Sequence, residues 1–300
     1  MSTRKTGIAL AFVSAVISGV SVYVNGLGVK HFPDASVYTT AKNGVAGLLL
    51  LVALAAVPSR RPLPRPARRA ALPLLAVAVI GGSVPFILFF EGLARAQSTQ
   101  AAFIQKTLVI WVAILAVPLL RERLRWPHAL AIALLLAGQA WLAGSAGRVV
   151  FGTGEAMILA ATLMWAVEVV YVKRLMDSFD PRLLATARMA LGAVLLIAWV
   201  LITGKAGQLL ALSGVQWRWV LLTGVLLTGY VGTWYAALAR APAVDVTAVL
   251  VFGAVITALL SGAAGSASIN APALLLVVAG CAIVASTALR GAAARTASPS

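Results

Sequence analysis

A stretch of eight residues occurs twice in this sequence and decides the fold. Residues 89–96 read Phe-Phe-Glu-Gly-Leu-Ala-Arg-Ala, and residues 234–241 read Trp-Tyr-Ala-Ala-Leu-Ala-Arg-Ala, at a shift of 145. Two upstream matches follow at nearly the same shift: Thr40-Ala41-Lys42 with Thr186-Ala187-Arg188 at 146, and Gly7 with Gly154 at 147. Three matches in one order indicate an internal duplication, in which we attribute the small drift to loop insertions.

Composition assigns most of the chain to a lipid environment. Of the 300 residues, 61% are hydrophobic and 11% are charged, whereas soluble proteins carry roughly 25% charged residues. A helical span needs ~20 mostly apolar residues to cross the hydrocarbon. Apolar runs such as 46–57 and 191–202 lack the alternation of a membrane β-strand. The sequence therefore predicts an all-α integral membrane protein.

Ten spans fit the apolar segments and their boundary residues. Proline and aspartate mark several predicted helix starts, at Pro33-Asp34, Pro127, Asp180-Pro181 and Pro272. The spans are predicted at about 7–29, 35–57, 71–90, 98–118, 127–144, 154–172, 182–202, 216–237, 244–263 and 271–289.

The distribution of basic residues supports this count. With ten spans, 16 Lys and Arg residues lie on one side of the membrane, five lie on the other, and three fall within spans. Basic loops stay on the cytoplasmic side, so both termini are predicted to be cytoplasmic and the protein to lie in the cell inner membrane. The formal charge of +16 thus reflects topology rather than nucleic acid binding.

An odd number of helices in each repeat makes the two halves cross the membrane in opposite directions. We predict a first repeat at 1–146, a second at 147–290, and a disordered cytoplasmic tail at 291–300. Inverted repeats underlie many secondary transporters, whose substrate sites lie near the membrane midplane. The predicted fold is therefore ten transmembrane helices arranged as two inverted five-helix repeats around a central cavity.

The five-plus-five pattern, the Leu-Ala-Arg-Ala turns and Arg121-Glu122-Arg123-Leu124 after helix 4 resemble the drug/metabolite transporter superfamily, in its EamA-type branch. Within it, the chain is most similar to the YddG-type exporters of aromatic and other amino acids. The resemblance implies a cavity lined by helices 1, 3, 4, 6, 8 and 9, with helices 5 and 10 peripheral and helices 2 and 7 outside it. One departure is that Ser261–Asn270 contains no charge, so Glu122 has no acidic counterpart in the second half.

No pattern in the sequence predicts catalysis or a cofactor. His31 and His128 fall at separate predicted interfaces, and the lone Cys281 lies in an apolar run. Paired carboxylates, metal-ligand spacings and phosphate-binding glycine loops are lacking. We predict no enzyme activity, no cofactor, no metal site, no nucleic acid partner and no obligate protein partner. The expected partners are a small-molecule substrate and membrane lipid.

Ionisable residues inside spans are costly, so each is a functional hypothesis. Glu168, one helical turn from Trp165, could bind a substrate amino group or carry a proton. Its alternatives are pairing with Lys173 or Arg174, or reaching toward the cytoplasm. Lys106 is predicted to receive a substrate carboxylate, the alternative being that its long stem reaches the headgroups.

Lys42 and Arg188 occupy matching repeat positions on helices 2 and 7. Their symmetry and their predicted place outside the cavity favour a structural role over a substrate-binding one. Each lies about two turns from the start of its helix, so its side chain would nearly reach the interface.

Glycines and aromatic residues are concentrated in helices 3 and 8. We predict paired hinges beside an aromatic-walled cavity, because glycine and proline inside a span mark bends. The predicted hinge residues are Gly81, Gly82, Pro85, Gly229 and Gly232, and the predicted substrate-binding aromatics are Phe86, Phe89, Tyr230 and Trp234, with Trp165 on helix 6. The alternative is close helix packing through small residues together with interfacial aromatics.

A polar stripe runs along helix 1 at Ser14, Ser18, Ser21 and Asn25. Such a stripe faces protein or water rather than lipid. We predict that Ser18, Ser21 and Asn25 line the cavity and bind substrate, with interhelical hydrogen bonding as the alternative.

Together these features predict a secondary transporter that exports small amphipathic metabolites, amino acids including aromatic ones, by alternating access. The first competing hypothesis is a multidrug or cation exporter of the same superfamily. A second, from a different class, is a non-transporting membrane protein such as a lipid scramblase or an assembly factor.

Overall fold

The computed structural model describes residues 3–57, 68–93, 95–96, 103–124, 126–142, 151–265 and 270–296. Every regular element in these ranges is helical. We number the long helices α1 Thr3–Gly28, α2 Ala35–Ala56, α3 68–93, α4 Phe103–Leu120, α5 Trp126–Leu142, α6 Thr153–Leu175, α7 Pro181–Ile202, α8 Gly214–Leu238, α9 Ala243–Ala263 and α10 Ala271–Thr296. A 3₁₀ turn at Val29–His31 follows α1, and a short helix at Ala206–Leu210 precedes α8.

Three helices are interrupted within their length. In α3, Arg68–Val77 leads into a π-helical segment at Ala78–Ser83 and then into Val84–Leu93. A turn at Thr107 interrupts α4. Two residues, Val251 and Phe252, separate the two parts of α9.

Within the described ranges, eight helices are long and apolar enough to cross a membrane, namely α1, α2, α3, α4, α6, α7, α8 and α9. The chain is therefore an all-helical, multi-pass membrane protein. Of the other two helices, α5 has 17 residues and α10 is apolar over Ala271–Thr287. Whether these two also cross the membrane stays a prediction.

Local sequence explains where the helices begin. Asp34 accepts a hydrogen bond from the Ser36 N–H at 2.8 Å and caps α2, and Asp180 accepts one from the Arg182 N–H at 2.8 Å and caps α7. Asp34 also pairs with Lys205 at 2.6 Å, which ties the α7–α8 connection to the start of α2. Burial raises the pKa of Asp34, but its hydrogen bonds and this ion pair outweigh burial and hold the pKa below its ordinary value.

Corresponding helices of the two repeats pack directly against each other and run antiparallel. Along α2 and α7, the Leu50 carbonyl accepts a hydrogen bond from Thr186 and the Val57 carbonyl accepts one from Arg182, so the order of contacts reverses. Along α5 and α10, a Cβ on Gly138 would meet Ala273 and Val277, and one on Gly280 would meet Ala131 and Leu135.

The remaining contacts exchange equivalent helices between the halves. Each helix of the first repeat is equivalent to the helix five places later in the chain. α1 packs on α8 and α9, and its equivalent α6 packs on α3 and α4. Likewise α2 packs on α8, and its equivalent α7 packs on α3. This is the pattern of an approximate twofold relation between the repeats.

The π-helical segment lies where the drift between the repeats changes by one residue. The shift is 146 between Lys42 and Arg188 and 145 between Phe90 and Tyr235, and the segment at Ala78–Ser83 falls between these positions. A π segment contains one residue more than the α-helix it replaces. It therefore offers a place for one residue of the drift inside a helix, beside the loops.

The last helix is longer than predicted. α10 continues to Thr296, so residues 291–296 are helical where the sequence indicated a disordered tail. Three of these residues are alanines, which favour the helix strongly and propagate one that has already formed.

Gly82 marks a close backbone approach between the two halves. A Cβ at this position would lie 1.9 Å from the Arg188 carbonyl oxygen, and one on Gly192 would lie 2.7 Å from the Gly82 oxygen. These neighbours are backbone atoms, so they cannot turn aside as a side chain would. A residue larger than glycine must push α3 away from α7.

We expect Gly82→Ala to lower the free energy of unfolding by about 1–3 kcal/mol, because the added methyl overpacks a backbone contact. Thermal unfolding of the detergent-purified protein measures this. The matched control is Gly44→Ala, where a Cβ would meet nothing within 4 Å and the change should stay within about 0.5 kcal/mol. Equal melting temperatures for the two variants would contradict the packing described here.

Candidate substrate-binding site

A buried charged group joins both halves at the centre of the molecule. Glu168 of α6 is 1% exposed, and its Oε1 lies 3.8 Å from the Arg188 Nε of α7. Tyr235 of α8 donates its hydroxyl proton to the same oxygen. A carboxylate this deep requires such partners, because an unpaired buried charge is strongly destabilising.

The π segment of α3 completes this group. The Gly81 carbonyl oxygen accepts a hydrogen bond from Trp165 Nε1 and another from Arg188 Nε, each at 3.2 Å. A Cβ on Gly81 would lie 2.6 Å from Glu168 Cγ, so only glycine lets the backbone approach. The π insertion disturbs the helical hydrogen-bond ladder and makes a carbonyl available to side chains. We name Glu168, Arg188, Tyr235 and the Gly81 carbonyl the central polar network.

This arrangement corrects two expectations. Glu168 pairs neither with Lys173 nor with Arg174: Lys173 donates to the carbonyls of Leu238 and Ala241, and Arg174 donates to the carbonyl of Leu119. Arg188 is buried rather than extended toward the interface. Sequence spacing suggested neighbours on the same helix, whereas the actual partners come from helices brought together by the fold.

Aromatic side chains predicted to bind substrate form two groups. Trp165 contacts Phe86 edge-on, with ring centroids 5.5 Å apart, and Phe89 at 5.7 Å. Phe89 also meets the neighbouring Phe90 at 5.5 Å. On α8, the rings of Tyr230 and Trp234 stack with centroids 6.2 Å apart. The structure thus brings Phe86, Phe89 and Trp165 together beside the central polar network; their role in binding stays a prediction.

Lys42 is the first-half equivalent of Arg188, and its surroundings differ. It is buried, and its ammonium donates to Asn25 Oδ1 at 2.9 Å. The same oxygen accepts a hydrogen bond from the Tyr38 hydroxyl at 2.8 Å. The ammonium also lies over the rings of Tyr38 and Phe90, at 5.0 and 5.5 Å. Within the described residues, Lys42 has no carboxylate partner.

The residues of the polar stripe on α1 differ in their hydrogen bonding. Ser14 donates to Thr233 Oγ1 of α8 at 2.8 Å and to the Leu10 carbonyl, which is interhelical hydrogen bonding. Asn25 connects α1 to α2 through Lys42. In contrast, the Ser21 hydroxyl is buried and has no hydrogen-bond partner among the described residues. Ser18 is half-buried.

Lys106 lies inside a span without a counter-ion among the described residues. It is half-buried in α4, one residue before the turn at Thr107. None of the residues described in the structure forms a hydrogen bond or ion pair with its ammonium. A cation inside a span without a counter-ion is the arrangement expected for a site that receives an anionic group.

Helix breaks occur where the sequence did not predict them. The turn at Thr107 in α4 and the turn ending at Phe252 in α9 match at the repeat shift of 145. Broken helices near a repeat interface are typical of transporter binding sites. By contrast, α8 continues without interruption through Gly229 and Gly232, so the predicted hinges there stay predictions. Pro85 follows the π segment and is buried in α3.

Close contact with α1 accompanies the break in α9. A Cβ on Gly19 would lie 2.4 Å from the Gly253 oxygen, and Thr257 donates to the Gly19 carbonyl at 2.9 Å. A glycine on each helix permits this approach, a signal that small-residue spacing could have indicated.

Charged residues connect several helices at the end of the molecule that is rich in basic residues. Glu122 accepts hydrogen bonds from the Ala243 and Val244 N–H groups at 2.6 and 3.1 Å, which caps the start of α9. Asp245 pairs with Arg4 at 2.7 Å and lies 3.2 Å from His128 Nε2. Together these contacts join α1, α4, α5 and α9 at one end.

Burial raises the pKa of Glu122 above its ordinary value, although the two backbone hydrogen bonds and the nearby Lys173 oppose this. The carboxyl group therefore takes up a proton more readily than an exposed glutamate. Once protonated it is a poorer acceptor for two N–H groups, so this contact weakens as the pH falls.

The buried groups of the described interior are of a kind that binds small molecules. In the described ranges, no three His, Cys, Asp or Glu residues come together as a metal site. The buried groups instead provide cationic donors, one paired carboxylate and aromatic faces, which suit reversible recognition of a small polar molecule with an apolar part.

The sequence profile of the EamA-like transporter family matches residues 5–144 and again 152–289. The chain belongs to the EamA-like transporter family. It is therefore a membrane transporter of the drug/metabolite transporter superfamily, and it contains two EamA repeats. Members of this family are generally not enzymes.

The fold is shared with a protein of known structure. A crystal structure of another protein aligns with a TM-score of 0.75 over 94% of this chain and 98% of the other, at 21% sequence identity. At that identity the likeness shows the fold alone. No curated protein matches the sequence.

In this EamA-family chain, the central polar network draws Gly81 from the first repeat and Glu168, Arg188 and Tyr235 from the second. The network therefore lies where the repeats meet. Any movement of one repeat relative to the other must alter it.

We expect Arg188→Leu to lower the free energy of unfolding by about 3–5 kcal/mol, because it leaves the Glu168 carboxylate buried without a cation. Adding Glu168→Leu should recover most of this loss, since both charges are then gone. Thermal unfolding of the two single variants and the double variant in detergent gives the coupling. Additive losses in the double variant would mean that the two side chains do not interact.

Proposed function

We propose that this chain is an exporter of small amphipathic metabolites, amino acids including aromatic ones, in the manner of the YddG-type branch of the superfamily. The observation that carries the proposal is the charge of the interior. Three or more residues inside the ends of the described spans, the basic residues are Lys42, Lys106, Arg188 and the exposed Arg218, and the acidic residue is Glu168. Two further buried acids, Glu155 and Asp245, lie in the first turns of α6 and α9. Among the described residues, Arg188 is the one of these four basic residues with a carboxylate partner.

An interior with excess positive charge needs an anionic group from outside. Each ionisable residue at a helix centre costs on the order of 2.5–3.5 kcal/mol. A substrate carboxylate would offset that cost at Lys106 or Lys42 and would itself be stabilised. This favours substrates that bear a carboxylate over the cationic drugs of the competing hypothesis.

The aromatic groups supply the apolar half of the recognition. Phe86, Phe89 and Trp165 lie next to one another, and rings of this kind accept aliphatic or aromatic side chains by edge and face contacts. A zwitterion with a variable apolar side chain fits a site that combines cations, one carboxylate and several rings.

Transport by alternating access would follow from an inverted arrangement of the repeats. α2 lies antiparallel to α7, and α5 lies antiparallel to α10. If the repeats had the same orientation, these equivalent helices would run parallel. Two inverted halves of like fold can exchange conformations, so that the site opens to each side in turn.

The orientation proposed here keeps both termini in the cytoplasm of a cell with the protein in its inner membrane, across ten spans. The 16-to-five distribution of basic residues supports it. The end locked by Glu122 and Asp245 is then the cytoplasmic end. The energy source would be a gradient or the concentration difference of the substrate, with membrane lipid as the surrounding partner.

Reconstituted vesicles loaded with labelled L-phenylalanine should show protein-dependent efflux. We expect Lys106→Met to reduce the efflux about tenfold or more, because the interior loses a cation that attracts the carboxylate of the substrate. The matched control is Lys30→Met, at an exposed position outside the spans, which should retain the wild-type rate.

Two outcomes would contradict the proposal. Efflux of cationic drugs that Lys106→Met increases would favour the multidrug hypothesis instead. No efflux of any compound in a broad amino acid and drug panel would favour the non-transporting class.

Cysteine labelling tests the orientation. With Cys281 replaced by serine, Lys30→Cys should react with a membrane-impermeant maleimide in intact cells, because the rule places it outside. Arg123→Cys should react only after the membrane is permeabilised. Both positions are exposed, so a reversed labelling pattern would overturn the orientation rather than report poor access.

A further inference from the structure

The two repeats can be aligned residue by residue at the central polar network. A Cβ on Gly7 would meet Arg240 and Ala241, and a Cβ on Gly154 would meet Arg95 and Ala96. These contacts involve the two copies of the repeated Leu-Ala-Arg-Ala turn. The structure thus places α1 and α6 in register at the shift of 147.

At these shifts each second-half side chain of the network has a first-half counterpart. Arg188 corresponds to Lys42 at 146, and Tyr235 corresponds to Phe90 at 145. Lys42 lies over the Phe90 ring, and their counterparts Arg188 and Tyr235 both contact the Glu168 carboxylate. The cation and the aromatic ring therefore occur in both halves.

The carboxylate does not. Glu168 corresponds at 147 to Ser21, whose buried hydroxyl finds no hydrogen-bond partner among the described residues. Lys42 is left with the Asn25 amide oxygen and two ring faces. These are neutral groups, so the first half has a buried cation with the matching acid missing.

We propose that Lys42 and Ser21 form a carboxylate-binding subsite, in which the carboxylate of the substrate takes the place that the Glu168 carboxylate holds in the second half. This deepens the proposed function and rests on it for the direction of transport. The carboxylate accepts hydrogen bonds from the Lys42 ammonium and the Ser21 hydroxyl, and Asn25 holds the ammonium in position.

The surroundings of the subsite indicate the rest of the ligand. Phe90 adjoins Phe89, which adjoins Trp165, so a row of rings leads away from Lys42 toward the second half. The substrate class is a monocarboxylate with an aromatic or large apolar substituent. The carboxylate is the required group, and the α-amino group is secondary.

Three compounds separate these requirements: L-phenylalanine, 3-phenylpropionate without the amino group, and L-phenylalaninamide without the carboxylate. Purified wild-type protein should be thermally stabilised by the first two and not by the third, because only a ligand that binds the folded state raises its stability. Failure of both carboxylates to stabilise the wild type would overturn the subsite.

Ser21→Glu places the acid of the second half at the matching position of the first. It should compete with the ligand and weaken the binding of both carboxylates about tenfold or more. Ser21→Gln is the matched control, since it adds the same volume without the charge. Equal affinities in these two variants would show that only space matters and would overturn the proposal.

Lys42→Met should also abolish stabilisation by the carboxylates, whereas Lys42→Arg should retain part of it. Where Lys42→Met does not fold, the comparison of Ser21→Glu with Ser21→Gln decides the matter with the lysine intact. Without ligand, Ser21→Glu should have a higher melting temperature than Ser21→Gln in the wild-type background, and no such difference should occur in the Lys42→Met background. Equal melting temperatures of Ser21→Glu and Ser21→Gln in the wild-type background would contradict the pairing of the introduced carboxylate with Lys42.

Failure of the subsite and failure of the transport function give different results. Amino acid efflux by the wild type that Ser21→Glu leaves unchanged would retain the exporter and remove the subsite. Lys42-dependent binding of carboxylates without efflux would retain the subsite and remove the exporter.

Discussion

The contact between the Gly81 carbonyl and Arg188 is the point on which the interior depends. The oxygen is accessible because α3 takes a π-helical turn and because residue 81 has no side chain. It fixes the guanidinium, the guanidinium stabilises Glu168, and Glu168 receives the Tyr235 hydroxyl. In lipid no water can replace a missing partner. Four helices are thus held together by one backbone oxygen and the buried pair it supports.

Much of the architecture could be predicted from the sequence, because hydrophobic length, basic loops and repetition are properties of whole segments. The all-helical membrane fold and the family follow from such averages, and they tolerate errors of a few residues. The π segment could not be predicted in the same way. It depends on the local backbone at Ala78–Ser83, which averages over a whole segment do not report.

The site was less predictable, for a physical reason. Glu168 and Trp165 stood out because charged and amphipathic groups inside a span are conspicuous. Their partners did not, since Arg188 and the Gly81 carbonyl lie far from Glu168 in sequence and meet it only through packing between helices. Lys42 and Arg188 were assigned a structural role by their helices. Their burial and their unequal partners became apparent only in three dimensions.

The π segment in α3 has a consequence for energetics. A carrier with two identical inverted halves would favour neither side of the membrane. Exchanging the two halves would turn its outward-open state into its inward-open state, so the two states would have equal free energy. Here the first half carries the π turn and the second half carries the acid Glu168. The equilibrium between the two states is then set by sequence and not by symmetry. If the protein works by the proposed alternating access, the empty carrier has a resting side, and the bound substrate must supply the difference in free energy before it can cross.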